Sequence, residues 1–380
     1  MLFAALAGCA RFGFERVDAD AGAGLGGPLV TTGSAGAGGN GLAGQGGTAA
    51  AGSGGAGGNA GQMGTGAAPG GVDAGATDAG ATDVPPDAST SCFDGVRNGD
   101  ELGVDCGGSQ CDACASCTLG SPQLLGQPNY SDNDLWSPRL SGDGLTLYFG
   151  LTITGLKEQI ALATRPDPAS EWSLGQTLPA PVNDSGEGTP YVSLDGLRLY
   201  FYSERSGGAG TRDLYLATRA SDADDFAGVT PLSSLNTPVL DYLPWLSPDE
   251  LTIYFCSGSS GSADILRATR SSIGAAFDPA VPVSELNSSS DENGITLTAD
   301  GLEAILSSNR PGSAGKRDLF RATRVSASDP FSTPLPLDAL NSADNEIDPA
   351  FSPDGTELYF ASSRGGTKSQ LYRVTRSCTR

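Results

Sequence analysis

Five arginines mark out a period of about fifty residues along this chain. DLYLATR at 213–219 returns as DILRATR at 264–270 and as DLFRATR at 318–324, and shorter copies close at IALATR (160–165) and LYRVTR (371–376). The terminal residues, Arg165, Arg219, Arg270, Arg324 and Arg376, are 54, 51, 54 and 52 residues apart. Chemistry that recurs at so regular an interval defines a tandem-repeat architecture, in which one small unit is built several times and buried against its copies.

Within a unit the elements read as strands. TPYVSLDG (189–196), LRLYFYSER (197–205) and RDLYLATR (212–219) follow one another, and LPWLSPDE, LTIYFCSG and ADILRATR repeat the order. SPD and LDG tripeptides mark tight turns between the first two strands. LYF at 147–149, 199–201 and 358–360 is apolar on both alternating sets, which suits a strand covered on both faces. Segments such as GVTPLSSLN (228–236) and TPLPLDALN (333–341) add a fourth, edge strand. Four antiparallel strands in tandem predict an all-β fold, a β-propeller, because a sandwich does not repeat its strand chemistry at constant period.

The ends of the region predict how the ring closes. SPQLLGQPN (121–129) matches the fourth-strand segment, and the chain finishes on a third strand. The N-terminal strand therefore completes the last blade, which makes five four-stranded antiparallel blades. Cys117 and Cys378 then flank paired strands, and a disulfide between them is expected to lock the ring. Cys256 takes a second-strand position and is expected to be a buried free thiol.

The phrases SPDG (352–355), LYFASSR (358–364) and DLYLATR resemble the TolB-like, or WD40-like, propeller repeats over 118–380. That resemblance implies the fold and leaves the activity open, because such repeats serve scaffolds and enzymes alike. TolB carries a separate N-terminal domain where this chain has other material, so the Tol-system role is not implied.

That other material falls into three parts. Residues 1–17 resemble a truncated lipoprotein signal and anchor. LAGC at 6–9 matches a lipobox that would lipidate Cys9, and the lack of a preceding Lys or Arg suggests a start further upstream. Residues 18–91 are almost entirely Gly, Ala, Ser and Asp, a composition that cannot bury enough surface to order itself. As a flexible linker they would reach roughly 45–50 Å. Residues 92–117 carry Cys92, Cys106, Cys111, Cys114 and Cys117 and resemble a Cys-rich motif of myxobacterial envelope proteins. In an exported chain such spacing reads as a small disulfide knot, with Cys92, Cys106, Cys111 and Cys114 pairing in one of three ways. The expected setting is an outer-membrane lipoprotein facing the periplasm or cell surface. Its partners are the membrane, through the anchor, and an envelope protein, peptide or glycan, with the chain itself a monomer.

Composition narrows the chemistry further. The 380 residues include no His, which excludes a Ser-His-Asp triad and any His-ligated zinc. A net charge of −22 argues against nucleic-acid binding and favours cationic partners.

The position three residues before the Pro of each first strand holds Glu187, Asp241 and Glu346, with Glu292 at the matching place and Asp134 one residue out of step. These five are expected at one mouth of the channel, as a ligand-binding ring. No cofactor is implied, although five like charges could hold Ca2+ or another cation. The alternative for the same residues is one carboxylate per blade that binds the amides of its connecting loop. Because these acids are equivalent by repeat, they suggest symmetry and no division of labour, so the chain is expected not to be an enzyme. The expected function is a tethered binding or scaffold propeller. The rival is a carbohydrate-active propeller, glycoside hydrolase-like or lectin-like, with Trp136, Trp172 and Trp245 available to stack on sugars, although the first-strand places of Trp136 and Trp245 point to core packing.

Overall fold

The computed structural model describes residues 116–129, 132–259 and 261–379. Cys9, the stretch 18–91 and the cysteines Cys92, Cys106, Cys111 and Cys114 lie outside the described residues.

Five sheets, each antiparallel, follow one another around a ring. The first blade runs from the inner strand Asp134–Leu140 through Thr146–Thr152 and Gln159–Thr164 to the outer strand Gln176–Thr177. The second, third and fourth blades begin on Glu187–Val192, Leu240–Leu246 and Glu292–Leu297 and repeat that order. The fifth takes Glu346–Phe351, Glu357–Ser362 and Gln370–Thr379 from the C-terminal end, and its outer strand, Gln123–Leu124, from the start of the region. Each inner strand packs on the next, and the fifth packs on the first, so the ring is closed.

The closure is reinforced outside the blade proper. Ser116–Leu119 pairs with the extended end of the last strand, Cys117 opposite Cys378. The two cysteines form a disulfide across a separation of 261 residues. A cross-link over so long a stretch contributes about 2–4 kcal/mol by limiting the unfolded chain.

The middle strands carry the core. Phe149, Phe201, Phe255 and Phe360 are fully buried between sheets, as the doubly apolar LYF pattern requires. Cys256 is buried and free. It accepts the Gly294 N–H at 3.2 Å, and burial pushes its thiol pKa up, so it behaves as a packing residue.

One end of the ring is made of the turns between first and second strands. In each turn a Ser or Thr hydroxyl donates to the Asp two residues on, as in Ser193 to Asp195 and Ser352 to Asp354. The repeat arginines close over these turns. Arg165, Arg219, Arg270 and Arg324 each donate from Nε to a turn carbonyl at 2.7–2.9 Å. Each also lies over an aromatic ring seven residues later, Trp172, Phe226, Phe277 or Phe331, at 4.3–4.5 Å. Arg376 lies instead over Phe351, on the inner strand of its own blade, at 5.4 Å.

Candidate functional site

The other end of the ring, where the inner strands begin, carries a cavity of about 130 Å³ at the channel mouth. Its shape starts from a bulge in every inner strand. The strand register shifts there in all five blades. The bulged residues are Ser137, Thr189, Leu243, Gly294 and Asp348, all with positive φ between 48° and 75°. In four blades the next residue is Pro, which has no N–H to lose from the ladder. Four of the five pay the steric penalty of a Cβ at positive φ, and hydrogen bonds between blades hold them there. Thr189 Oγ1 takes the Leu243 N–H at 3.1 Å, and Asp348 Oδ2 takes the Ser137 N–H at 3.1 Å.

The layer below the bulges is packed. Arg139 spans the channel, donating to Pro349 O at 2.6 Å and to Ile295 O at 3.2 Å. Burial pushes this guanidinium down to about 10, while Tyr191 and Asp348 pull the other way. Tyr191 stands edge-on to Trp245 at 6.4 Å and donates to Leu246 O. Trp245 is buried in this layer, as expected for a first-strand tryptophan.

The cavity lies above this floor. Trp136 forms one wall, half-buried, stacked on Tyr202 at 6.2 Å and donating from Nε1 to Thr152 Oγ1. The indole fits because Gly150 and Gly188 leave its space empty; a Cβ at Gly150 would stand 2.7 Å from the ring, and one at Gly188 would overlap it. Tyr242, Asn293 and Ile347 occupy the equivalent place in other blades and complete the wall. Trp136 is thus exposed to the cavity, although its place in a first strand pointed to core packing. Trp172 lies buried under Arg165.

Three carboxylates line the cavity: Asp134, Glu158 and Asp348. Asp134 accepts the Ser369 N–H at 2.8 Å and Lys368 Nζ at 2.9 Å. Glu158 pairs with Arg212 at 3.0 Å and accepts the Tyr202 hydroxyl. Burial pushes the Glu158 carboxyl above its usual range, against the pull of Arg212. Burial does the same to Asp348, which is 3% exposed. Arg317, also on the lining, pairs with Asp291 at 2.5 Å.

Of the five carboxylates expected at the mouth, Asp134 is the one on this lining. Glu187 accepts the amides of Asp184, Ser185 and Gly186, the Ser203 hydroxyl and Arg205. Glu292 and Glu346 repeat that pattern with Ser288 and Arg310, and with Ser342 and Arg364. Asp241 takes the Thr237 N–H at 2.6 Å, and burial raises its carboxyl. These four are at most 1% exposed and turned into their own connecting loops. Among the described residues no three His, Cys, Asp or Glu side chains gather as a metal site would need.

Two features escaped the sequence reading. Asn129, Asn183, Asn236, Asn287 and Asn341 each accept one third-strand N–H through Oδ1 and return Nδ2 to a carbonyl of the same residue, as Asn236 does with Leu214. Their regular spacing was the available signal. Glu158 and Asp348 carry no such signal, because each appears in one blade.

No family model matches this chain, and no curated protein matches it. Solved structures do. An alpha-L-arabinofuranosidase from Podospora anserina, in complex with cellotriose, is similar at 11% identity and a TM-score of 0.46, over 70% of this chain and 98% of that one. A thermostable family-43 glycoside hydrolase is similar at 13% identity and a TM-score of 0.49, over 66% and 91%. TolB from Acinetobacter baumannii is similar at 17% identity and a TM-score of 0.40, over 69% of this chain and 63% of that one. The likeness is one of fold. The expectation that the chain is not an enzyme is corrected: arabinofuranosidases and other glycoside hydrolases stand among the similar structures, so this fold does not exclude an enzyme. The reason for that expectation also fails: the carboxylates that line the cavity, Asp134, Glu158 and Asp348, are not equivalent by repeat.

Proposed function

We propose that this protein is a carbohydrate-active propeller that seats the terminal sugar of a glycan in its channel mouth. The observation that carries the reading is the cavity itself. An indole wall stands beside carboxylates, a guanidinium, an amide and hydroxyls, the mixture that a sugar's apolar face and hydroxyl rim require. Its volume decides the size of ligand. A cavity of about 150 Å³ takes benzene, so about 130 Å³ admits one ring and leaves the rest of the glycan outside.

Cleavage of the glycosidic bond is a second reading, favoured by the raised Glu158 carboxyl on the same lining as Asp134. Hydrolysis needs a carboxylic acid that keeps its proton and a second carboxylate to act as base or nucleophile. Glu158 is the candidate acid, and Asp134 its partner. The expected result is sugar release from a polysaccharide panel by the full chain, abolished in Glu158→Gln while glycan binding persists. Binding without release would keep the lectin-like form. A full chain that binds no glycan on an array and releases no sugar would overturn the proposal.

The envelope setting belongs to the same proposal. Lipidation of Cys9 would hold the propeller at the outer membrane on its Gly-rich linker. Metabolic labelling with a lipid analogue should mark the chain, and Cys9→Ser should abolish the label and release the protein from membranes.

A further inference from the structure

Two polar groups on the cavity lining have hydrogen-bonding capacity that the described residues do not use. Asp348 Oδ2 takes the Ser137 N–H and hydroxyl, and among the described residues nothing donates to Oδ1. The Ser369 hydroxyl, on a residue 3% exposed, has no hydrogen-bond partner among the described residues. Buried groups of this kind are rare in native proteins and point to a molecule that completes them.

The charges around Asp348 show what is missing. Asp134 is paired with Lys368, and Glu158 with Arg212. Asp348 alone among the cavity carboxylates forms no ion pair with a described residue. Two cations face it, Arg139 and Arg317. Arg139 directs its guanidinium to the carbonyls of Pro349 and Ile295, and Arg317 binds Asp291. Burial outweighs both, leaving the Asp348 carboxyl raised. A carboxylate in that state gains from an arriving cation.

We infer that the sugar recognised here carries a free amino group. The ligand is a glycan terminus such as a 2-amino-2-deoxyhexose, its ammonium on Asp348 Oδ1 and a ring hydroxyl on Ser369 Oγ. This rests on the carbohydrate reading and names the class within it. A hard metal ion is the poorer occupant, since calcium takes six to eight oxygens and no three acidic side chains gather among the described residues. Trp136 and Tyr242, which share the cavity wall, favour an organic cation over a hydrated one.

The test is calorimetric titration of the full chain, below the pKa of the sugar amine, with methyl glucosaminide, methyl glucoside, methyl N-acetylglucosaminide and Nα-acetyl-lysine amide. The glucosaminide should bind at least about tenfold more tightly than the two uncharged sugars, as a charge-assisted hydrogen bond implies. Asp348→Asn should erase that preference, bringing the glucosaminide to the affinity of the two uncharged sugars. Equal affinity for all three sugars would overturn the amine inference and leave the carbohydrate reading standing. Binding of the lysine amide without any sugar would overturn the carbohydrate reading and this sugar class with it. If Asp348→Asn does not fold, the ratio between glucosaminide and N-acetylglucosaminide in the unaltered chain decides alone.

Discussion

On the turn face a hydroxyl stands on an Asp in every blade, and in four of the five an arginine lies over a turn carbonyl and the aromatic ring seven residues on. On the mouth face equivalent positions hold unlike residues. The bulge carries Ser137, Thr189, Leu243, Gly294 and Asp348, and the residue before it is Trp136, Gly188, Tyr242, Asn293 or Ile347. A device needed to close each sheet on the next must recur in each. A site needs different groups on different sides of one ligand, so it arises where the repeat is broken. Repetition in this chain marks structure, and divergence marks the candidate site.

The sharpest way to break that contrast is Arg270→Ala. Arg270 is 6% exposed, binds Glu250 O and the Tyr200 hydroxyl, and lies 3.7 Å from the Glu250 carboxylate. Its removal leaves buried acceptors unpaired and should cost about 3–5 kcal/mol in urea unfolding. Glycan affinity of the folded fraction should not change. A large loss of affinity would show that the two faces are not independent.

Gly188→Ala tests the other face. The new methyl would overlap the Trp136 indole and must displace it or strain the strand. Overpacking of this kind costs about 1–3 kcal/mol, and sugar binding should fall to background because the wall has moved. Unchanged binding would remove Trp136 from the site. Asn236→Ala removes two bonds to Leu214 in a repeated device and should cost about 1–2 kcal/mol with no change in binding.

The same contrast explains what could be read from the sequence. Strand order, ring closure and the Cys117–Cys378 bond follow from period and register, which are local and repeated. The acids chosen as a ring, Glu187, Asp241, Glu292 and Glu346, were found by that same periodicity, and the structure turns each into its own loop. Glu158 and Asp348 could not be found this way. Glu158 precedes a third strand where the other blades have Arg212, Ala263, Arg317 and Ser369, and Asp348 looks like any residue before a proline. Their meaning depends on which blades face one another across the channel, information that a single unit does not contain.

The smallest expected effect, in Asp348→Asn, separates site from scaffold most cleanly. Burial raises the Asp348 carboxyl in the folded chain above the ordinary aspartate value of 3.8. The folded state therefore holds this proton more tightly than the unfolded state does. The resulting stability is present at acid pH and is lost as the pH rises from the ordinary value through the folded one. Above the folded pKa the charged carboxylate is a net burden that a ligand cation would relieve. Asn retains an oxygen for the Ser137 N–H and hydroxyl and has no charge to desolvate. The variant should thus be slightly more stable than the parent at pH 7, and the gain should vanish in acid, while the affinity for an amino sugar is lost. Thermal unfolding of both chains across that pH range reads the effect directly. A variant less stable than the parent at pH 7 would mean that the Asp348 charge serves the fold through Arg139 and Arg317, and the mouth would then follow the same structural rule as the turns.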